Sequence, residues 1–235
     1  MHPSTKETTV QAMFSSIARF YDLNNTLLSF GLHHLWKRET LRAACLGQGA
    51  RVVDVGAGTG DLARAAAREV GKDGVVAALD LNAPMLRVGQ NKLQPFPHAL
   101  TIRGNAQALP FADGHFDAAL TGFCLRNVSD LDAALREIHR VLRPGGRFAC
   151  LEFSRPTFVV LRTLYDFYSF TLLPWVGQCV SGDRTGVYDY LPDSIRRFPD
   201  QVAFCRRIEA VGFCGVAYQN LSGGIVAIHT GRRAA

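Results

Sequence analysis

The 235-residue chain contains no run of about 20 apolar residues, so nothing in it reads as a membrane span. Residues Met1 to Gln11 are polar and lack an apolar leader core, which argues against secretion. The six cysteines (Cys45, Cys124, Cys150, Cys179, Cys205, Cys214) form no C-x-x-C pair. They read as reduced thiols of a cytoplasmic protein, and no metal site is expected. Repeats and low-complexity tracts are absent. Lysine is scarce: Lys6, Lys37, Lys72 and Lys92 stand against 22 arginines. The arginines are scattered, which weakens a nucleic-acid reading, and no nucleic-acid partner is expected. What is present is length and apolar content. With 48% apolar residues, the chain suits one α/β domain over residues 1–235. A chain this size buries roughly three quarters of its unfolded surface and needs no covalent staple. The net charge of +6 fits a solvated surface, an anionic membrane surface or nucleic acid equally well by itself.

The order of elements is legible in the middle of the chain. Residues 1–10 read as a frayed tail. Met13, Phe14, Ile17, Phe20 and Tyr21 recur at helical spacing, and a second helical stretch covers 32–44. Arg51 to Val55 is an apolar run that breaks into Gly56-Ala-Gly-Thr-Gly60, a buried strand feeding a glycine turn. Further strands follow at 75–79, 100–103, 117–123 and 147–152. Helices follow at 61–70, from Ala83-Pro84, and at 130–142, with Asp130 as N-cap. Pro144-Gly145-Gly146 punctuates the end of that last helix. Strictly alternating strand and helix over 51–154 predicts a doubly wound parallel sheet. After Ser154 an apolar insertion at about 155–198 interrupts the rhythm. Residues 196–210 read as one helix. Strands at 215–220 and 224–229 read as an antiparallel hairpin finishing the sheet.

The strongest local signal is Asp54-Val-Gly56-Ala-Gly58-Thr-Gly60-Asp61. Glycines at the carboxyl end of a first parallel strand let a ligand approach the backbone, and the next helix offers unpaired N–H groups. Asp80 ends the second strand, where a carboxylate can accept both hydroxyls of a ribose. Three details favour S-adenosylmethionine (SAM) over a dinucleotide. The turn is G-x-G-x-G. Asp54 suits a cationic ligand, whereas Asp54 and Asp61 would repel a pyrophosphate. Gly104-Asn105-Ala106, after the third strand, can read adenine, although Asn105 taken alone also suits a plain turn.

Gly104-Asn-Ala-Gln-Ala-Leu-Pro-Phe111, Asp113-Gly-His-Phe-Asp117 and Arg140-Val-Leu-Arg-Pro-Gly-Gly146 resemble class I SAM-dependent methyltransferases. Tyr21-Asp-Leu-Asn-Asn25, Leu125-Arg-Asn-Val128, Leu151-Glu-Phe-Ser154 and Tyr190-Leu-Pro-Asp-Ser-Ile195 narrow this further. With the ending Asn220-Leu-Ser-Gly-Gly-Ile-Val-Ala-Ile-His229, they resemble the ubiquinone/menaquinone biosynthesis C-methyltransferases, collinearly from about Phe14 to Gly231. The resemblance implies a Rossmann-like class I methyltransferase fold. Its sheet has seven mostly parallel strands, a C-terminal antiparallel hairpin and helices on both faces. It also implies methyl transfer from SAM to a ring carbon of a prenylated quinol, a naphthoquinol by preference over a benzoquinol. SAM contacts carry over to Thr59, Asp80, Asn105 and Ala106. Where many relatives have Ser, this chain has Gly122, which leaves only backbone contacts there. Competing readings are a methyltransferase of another small lipid or phenol and a SAM-fold protein that binds without catalysis.

Ring-carbon methylation needs a quinol whose hydroxyl loses its proton, and the free phenol pKa is near 10. Arg126 and Asn127 follow the fourth strand, where ligands sit, and are the first candidates for contacting the quinol. A salt bridge and a helix-start turn are their plainer roles. His33 or His34 could supply a base. Tyr21 and Asp22 suit an N-terminal helical lid over about 13–44, and Glu152 is a weaker candidate. From Phe167 to Gly182 no residue is charged, and with Phe158 to Trp175 this suits an interfacial element or a tail-binding wall. A buried cap or a homodimer contact is the alternative. Residues 1–50 carry +2, 51–154 carry +1 and 155–235 carry +3. The excess charge on the flanks fits peripheral contact with the anionic inner face of the cytoplasmic membrane.

Overall fold

The computed structural model describes residues 5–168 and 187–235. Seven strands form one sheet: β1 (Arg51–Val55), β2 (Val75–Asp80), β3 (Ala99–Arg103), β4 (Phe116–Gly122), β5 (Leu142–Phe153), β6 (Phe213–Leu221) and β7 (Val226–Arg233). Their order is β3-β2-β1-β4-β5-β7-β6. The first five are parallel neighbours, and β7 alone runs against both β5 and β6. This is the class I methyltransferase sheet that the resemblance implies. The chain reverses its winding between β1 and β4, and the cleft of such a sheet opens at the carboxyl ends of those strands.

Strand periodicity sorts the core. Val52, Val76, Ala78, Ala118 and Leu120 pack on one face against α3 (Leu32–Ala44) and α4 (Asp61–Val70). Val53, Val55, Ala77, Leu79 and Ala119 pack on the other, in the same cluster as residues of α6 (Leu131–Val141) and α9 (Gln201–Ala210). Along α4, Leu62, Ala63, Ala66, Ala67 and Val70 form one buried stripe. On α6 the stripe is Ala134, Leu135, Ile138 and Val141, and the Asp130 side chain accepts from Ala133 N–H at 2.9 Å as the expected N-cap. The remaining helices are α1 (Thr5–Ile17), α2 (Tyr21–Leu28), α5 (Ala83–Leu93), α7 (Val159–Phe167) and α8 (Val187–Arg197).

Four local expectations change. The supposed frayed tail is helical from Thr5, because Val10 is buried and Asn82 Nδ2 donates to the Gln11 carbonyl and Ser15 hydroxyl, both at 2.9 Å. The helical signal over 13–21 belongs to two helices, since α1 stops at Ile17 and Tyr21 opens α2. The helix expected over 196–210 is broken at Phe198-Pro199-Asp200. Proline disfavours helix at the residue before it, and Asp200 caps α9 by accepting from Ala203 N–H at 2.9 Å. Phe123 lies beyond β4 rather than in it, with φ of 56°. The expected interfacial role of Trp175 falls outside the described residues.

Candidate active site

The β1–α4 turn sits under a close approach that only glycine permits. Gly56 has φ of 74°, and a Cβ there would lie 2.1 Å from Cys124 Sγ. The loop after β4 therefore packs directly onto the glycine turn. Gly122 allows a second approach, since a Cβ there would lie 2.6 Å from Leu62 Cδ1. Asp80 holds the turn from the other side. Its carboxylate accepts from Gly58 N–H and Asn82 N–H, each at 2.8 Å. Each oxygen uses one of its two acceptor sites in this way and keeps the other. Burial raises the Asp80 pKa, and the N–H groups of Asn82, Gly58 and Leu81 oppose the rise.

A cavity of mixed polar and apolar lining opens here. Gly56, Gly58, Asp80, Asn105, Ala106, Gly122 and Asn127 are on its wall. Asn105 serves the turn as well, its side-chain oxygen accepting from Gln107 N–H at 2.9 Å. Asp54, Thr59 and Gly60 stand behind the wall. Gly60 packs on Gly89 of α5. The Thr59 hydroxyl donates to Asp22 Oδ1 at 2.6 Å. Asp54 is 1% exposed, and neither of its oxygens has a hydrogen-bond partner among the described residues. Burial pushes its pKa up to about 7, aided by Asp80 and Asp61 and opposed by the Ala63 backbone and Lys37. An uncompensated buried carboxylate beneath a glycine cradle fits a cationic ligand, and Asp80 fits a ribose. The donor set therefore fits SAM.

A second cavity, of about 320 Å³, lies alongside. Its wall is mainly apolar and aromatic, including Trp36, Phe153, Leu161 and Leu164. The Phe123 ring is 6.2 Å from Trp36 and 4.6 Å from Phe153, and Trp36 Nε1 donates to Ser222 Oγ at 2.9 Å. Phe14, Tyr21 and Phe123 belong to the walls of both cavities, so the two spaces meet.

His33 and Arg126 are on the wall of the apolar cavity. Arg126 Nη1 donates to Glu152 Oε1 at 2.8 Å and to the Phe123 carbonyl at 2.6 Å. Both partners of the ion pair are almost wholly buried. His33 is buried too, and burial, with Lys37 and His34 adding to it, lowers its pKa to about 4. Thr26 Oγ1 donates its one hydrogen to the Asp22 carbonyl at 2.8 Å, so it accepts from His33 Nε2 at 3.1 Å. That assigns the proton to Nε2 and leaves Nδ1 as an acceptor without a partner among the described residues. His34 is exposed, its ring tilted 37° to that of His33 with centroids 3.9 Å apart.

Some contacts escaped the sequence reading. The Tyr190 hydroxyl of α8 donates to Asn127 Oδ1 at 3.2 Å and so joins the two cavities. Asp22, Lys92, Asp61 and Lys37 form a chain of ion pairs at 2.5 to 2.7 Å across α2, α5, α4 and α3. Although burial pushes Asp61 up, Lys37 and Lys92 hold it well below the usual carboxylate range. These are contacts between distant segments and carry no local signature.

A family model described as the ubiE/COQ5 methyltransferase family matches residues 2–233. A Legionella pneumophila (strain Corby) protein named ubiquinone/menaquinone biosynthesis C-methyltransferase UbiE is 47% identical over 227 residues, covering 95% of this chain and 90% of that protein. The protein of the same name from Hahella chejuensis is 47% identical over 232 residues, covering 97% and 93%. Among solved structures, a SAM-dependent methyltransferase from Aquifex aeolicus is similar with a TM-score of 0.62 at 17% identity, covering 83% of this chain and 88% of that one. The [4+2]-cyclase SpnF is similar with a TM-score of 0.64 at 20% identity, covering 85% and 81%. At such identities the likeness is one of fold alone.

Proposed function

The chain belongs to the ubiE/COQ5 methyltransferase family, and from that premise we propose that the cavity at its glycine turn takes SAM and its larger apolar cavity takes the ring and first tail units of a prenylated quinol. The protein is a SAM-dependent C-methyltransferase of ubiquinone and menaquinone biosynthesis. The observation that carries the assignment of cavities is their common wall at Phe14, Tyr21 and Phe123, since donor and acceptor must meet in line.

When bound, SAM supplies an electrophilic methyl group on a sulfonium centre. Asp80 accepts its ribose hydroxyls, Asn105 and Ala106 read its adenine, and buried Asp54 favours its positive charge. The glycine turn lets backbone come close, and Thr59, tied to Asp22, fixes the turn to α2. Helices α1 to α3 act as a lid, since α1 and α2 contribute Phe14 and Tyr21 to the walls and α3 contributes Trp36.

On the acceptor side, His33 belongs to the cavity wall, with its Nδ1 enclosed beneath it. Full proton transfer to His33 is uphill: a phenol near pKa 10 and an imidazole near 4 differ by about 8 kcal/mol. His33 is therefore not the base: the hydroxyl proton leaves to water as the ring carbon takes the methyl group, and the proton on that carbon then returns to the oxygen. The growing oxyanion is stabilised by Arg126, whose guanidinium Glu152 and the Phe123 carbonyl hold rigidly at the wall. Asn127, steadied by Tyr190, lies at the SAM side of that wall. The naphthoquinol is the preferred acceptor, and the flanking positive charge together with the apolar region after Ser154 brings the enzyme to the membrane that holds it.

The test is incubation with SAM and either demethylmenaquinol or the benzoquinol precursor, with mass detection of the added methyl. Transfer to at least the naphthoquinol is expected. SAM binding with no transfer to either quinol would sink the proposal.

A further inference from the structure

Helices α2 and α7 each turn one face to the cavity and carry an exposed apolar stripe besides. On α2, Tyr21, Asn24, Asn25 and Leu28 line it. Leu23 and Leu27 point to water, and Phe30 just beyond the helix continues their stripe at helical spacing. On α7, Val160, Leu164 and Phe167 make a second exposed stripe. Single exposed apolar residues are ordinary, but these are gathered. Of the fourteen large apolar side chains exposed among the described residues, eleven lie between Phe20 and Leu35 or between Phe158 and Phe167.

The two stripes meet at the mouth of the apolar cavity. The Tyr168 hydroxyl donates to the Leu28 carbonyl at 2.6 Å, and the Tyr168 ring lies 6.4 Å from Phe30. Phe30 and Leu164 are exposed and also line the cavity, so they form its rim. Phe30 is the telling residue. It is 83% exposed and has φ of 51°, at the end of a helix where glycine or asparagine is the comfortable choice. The fold holds a phenylalanine in a strained conformation and gains no burial from it. Strain of that kind points to function rather than to stability.

Charge agrees. From Leu23 to Trp36 no residue is acidic or carries Lys or Arg, and exposed Arg19 and Arg38 flank the run. A protein partner seated here would stop the mouth, whereas a long prenyl tail must pass through it. We infer that the Phe20–Leu35 corner and α7 form a membrane-docking face that sets the cavity mouth against the bilayer, with Phe30 as its inserted tip. This rests on the reading of the apolar cavity as the quinol site.

The test uses the full chain and vesicles of phosphatidylcholine and phosphatidylglycerol. Leu23 and Val160 do not line the cavity, so the Leu23→Glu/Val160→Glu double variant changes the face alone. Its vesicle partitioning should fall about tenfold or more, with a matching loss of methyl transfer to long-tailed quinol in vesicles. Transfer to a short-tailed quinol in solution should stay within about twofold. Phe30→Gly should partition less while its Tm is unchanged or higher, because glycine relieves the strain. Undiminished partitioning of both variants would overturn the docking face. So would a parent dimer that the double variant splits, since the face would then belong to a second copy. Intact vesicle binding by a parent that methylates neither quinol would instead overturn the reading of the cavity.

Discussion

Asp54 is a carboxylate that the fold buries and does not satisfy. With its pKa near 7, about half the molecules carry it protonated at neutral pH in the absence of a cation. A cationic ligand favours the ionised form, so SAM affinity should rise as pH rises through 7, with up to one proton released on binding. Calorimetry in two buffers of different ionisation enthalpy reads that release, and Asp54→Asn should abolish it. Gly56 gives a second expectation. Gly56→Ala adds a Cβ against Cys124 and forces a positive φ, so it should cost about 2–3 kcal/mol of stability by denaturant titration and weaken SAM binding. Both residues were legible in the sequence, because a strand, a glycine turn and an acid at the end of the next strand are local patterns. Phe30 and Tyr190 were not. Their meaning lies in exposure at a cavity mouth and in a hydrogen bond to Asn127, 63 positions away.

Between elements, the chain of charges through Asp22, Lys92, Asp61 and Lys37 fastens the N-terminal helices to the nucleotide-binding half of the sheet. Lys92→Met should leave Asp22 with Thr59 alone and Asp61 with Lys37 alone. Amide exchange in α1 and α2 should then quicken while β1, β2 and β4 stay protected, and the KM for SAM should rise. Uniformly faster exchange would show that the network serves global stability instead. Over residues 51–154 the main strands and helices were legible, because buried parallel strands and amphipathic helices have distinct periods. Strand β5, however, starts at Leu142 and takes in Pro144-Gly145-Gly146, which reads in the sequence as a helix end before a strand at 147. Helix α2 was not. Its sequence, Tyr-Asp-Leu-Asn-Asn-Thr-Leu-Leu, is rich in turn formers, and packing rather than propensity makes it helical. The break at Pro199 was missed because apolar residues continue at helical spacing on both sides of it.

Mild acid acts on the stability of the whole molecule through buried groups of opposite sign. His33 and His229 are both lowered to about 4 by burial, so they stay neutral in the fold and charge on unfolding. Their contribution is complete above about 6.5 and is lost as pH falls towards 4. Asp54 works the other way: raised to about 7, it contributes below 3.8 and loses this as pH rises through 7. His139, lowered by burial, acts with the two histidines, and Asp80 and Glu69, raised by burial, act with Asp54. Asp54→Asn removes one opposing group, so between about pH 4 and 6.5 the Tm of that variant should rise more steeply with pH than the parent's. At this scale, on the proposed reading, the two joined cavities form one device, which would bring a quinol ring from one side to SAM on the other. That claim is tested most directly by where the methyl goes. With SAM carrying a carbon-13 methyl and demethylmenaquinol as acceptor, NMR of the extracted product should show the label on a ring carbon. Label on a quinol oxygen, or none on the quinol while SAM binds normally, would contradict it.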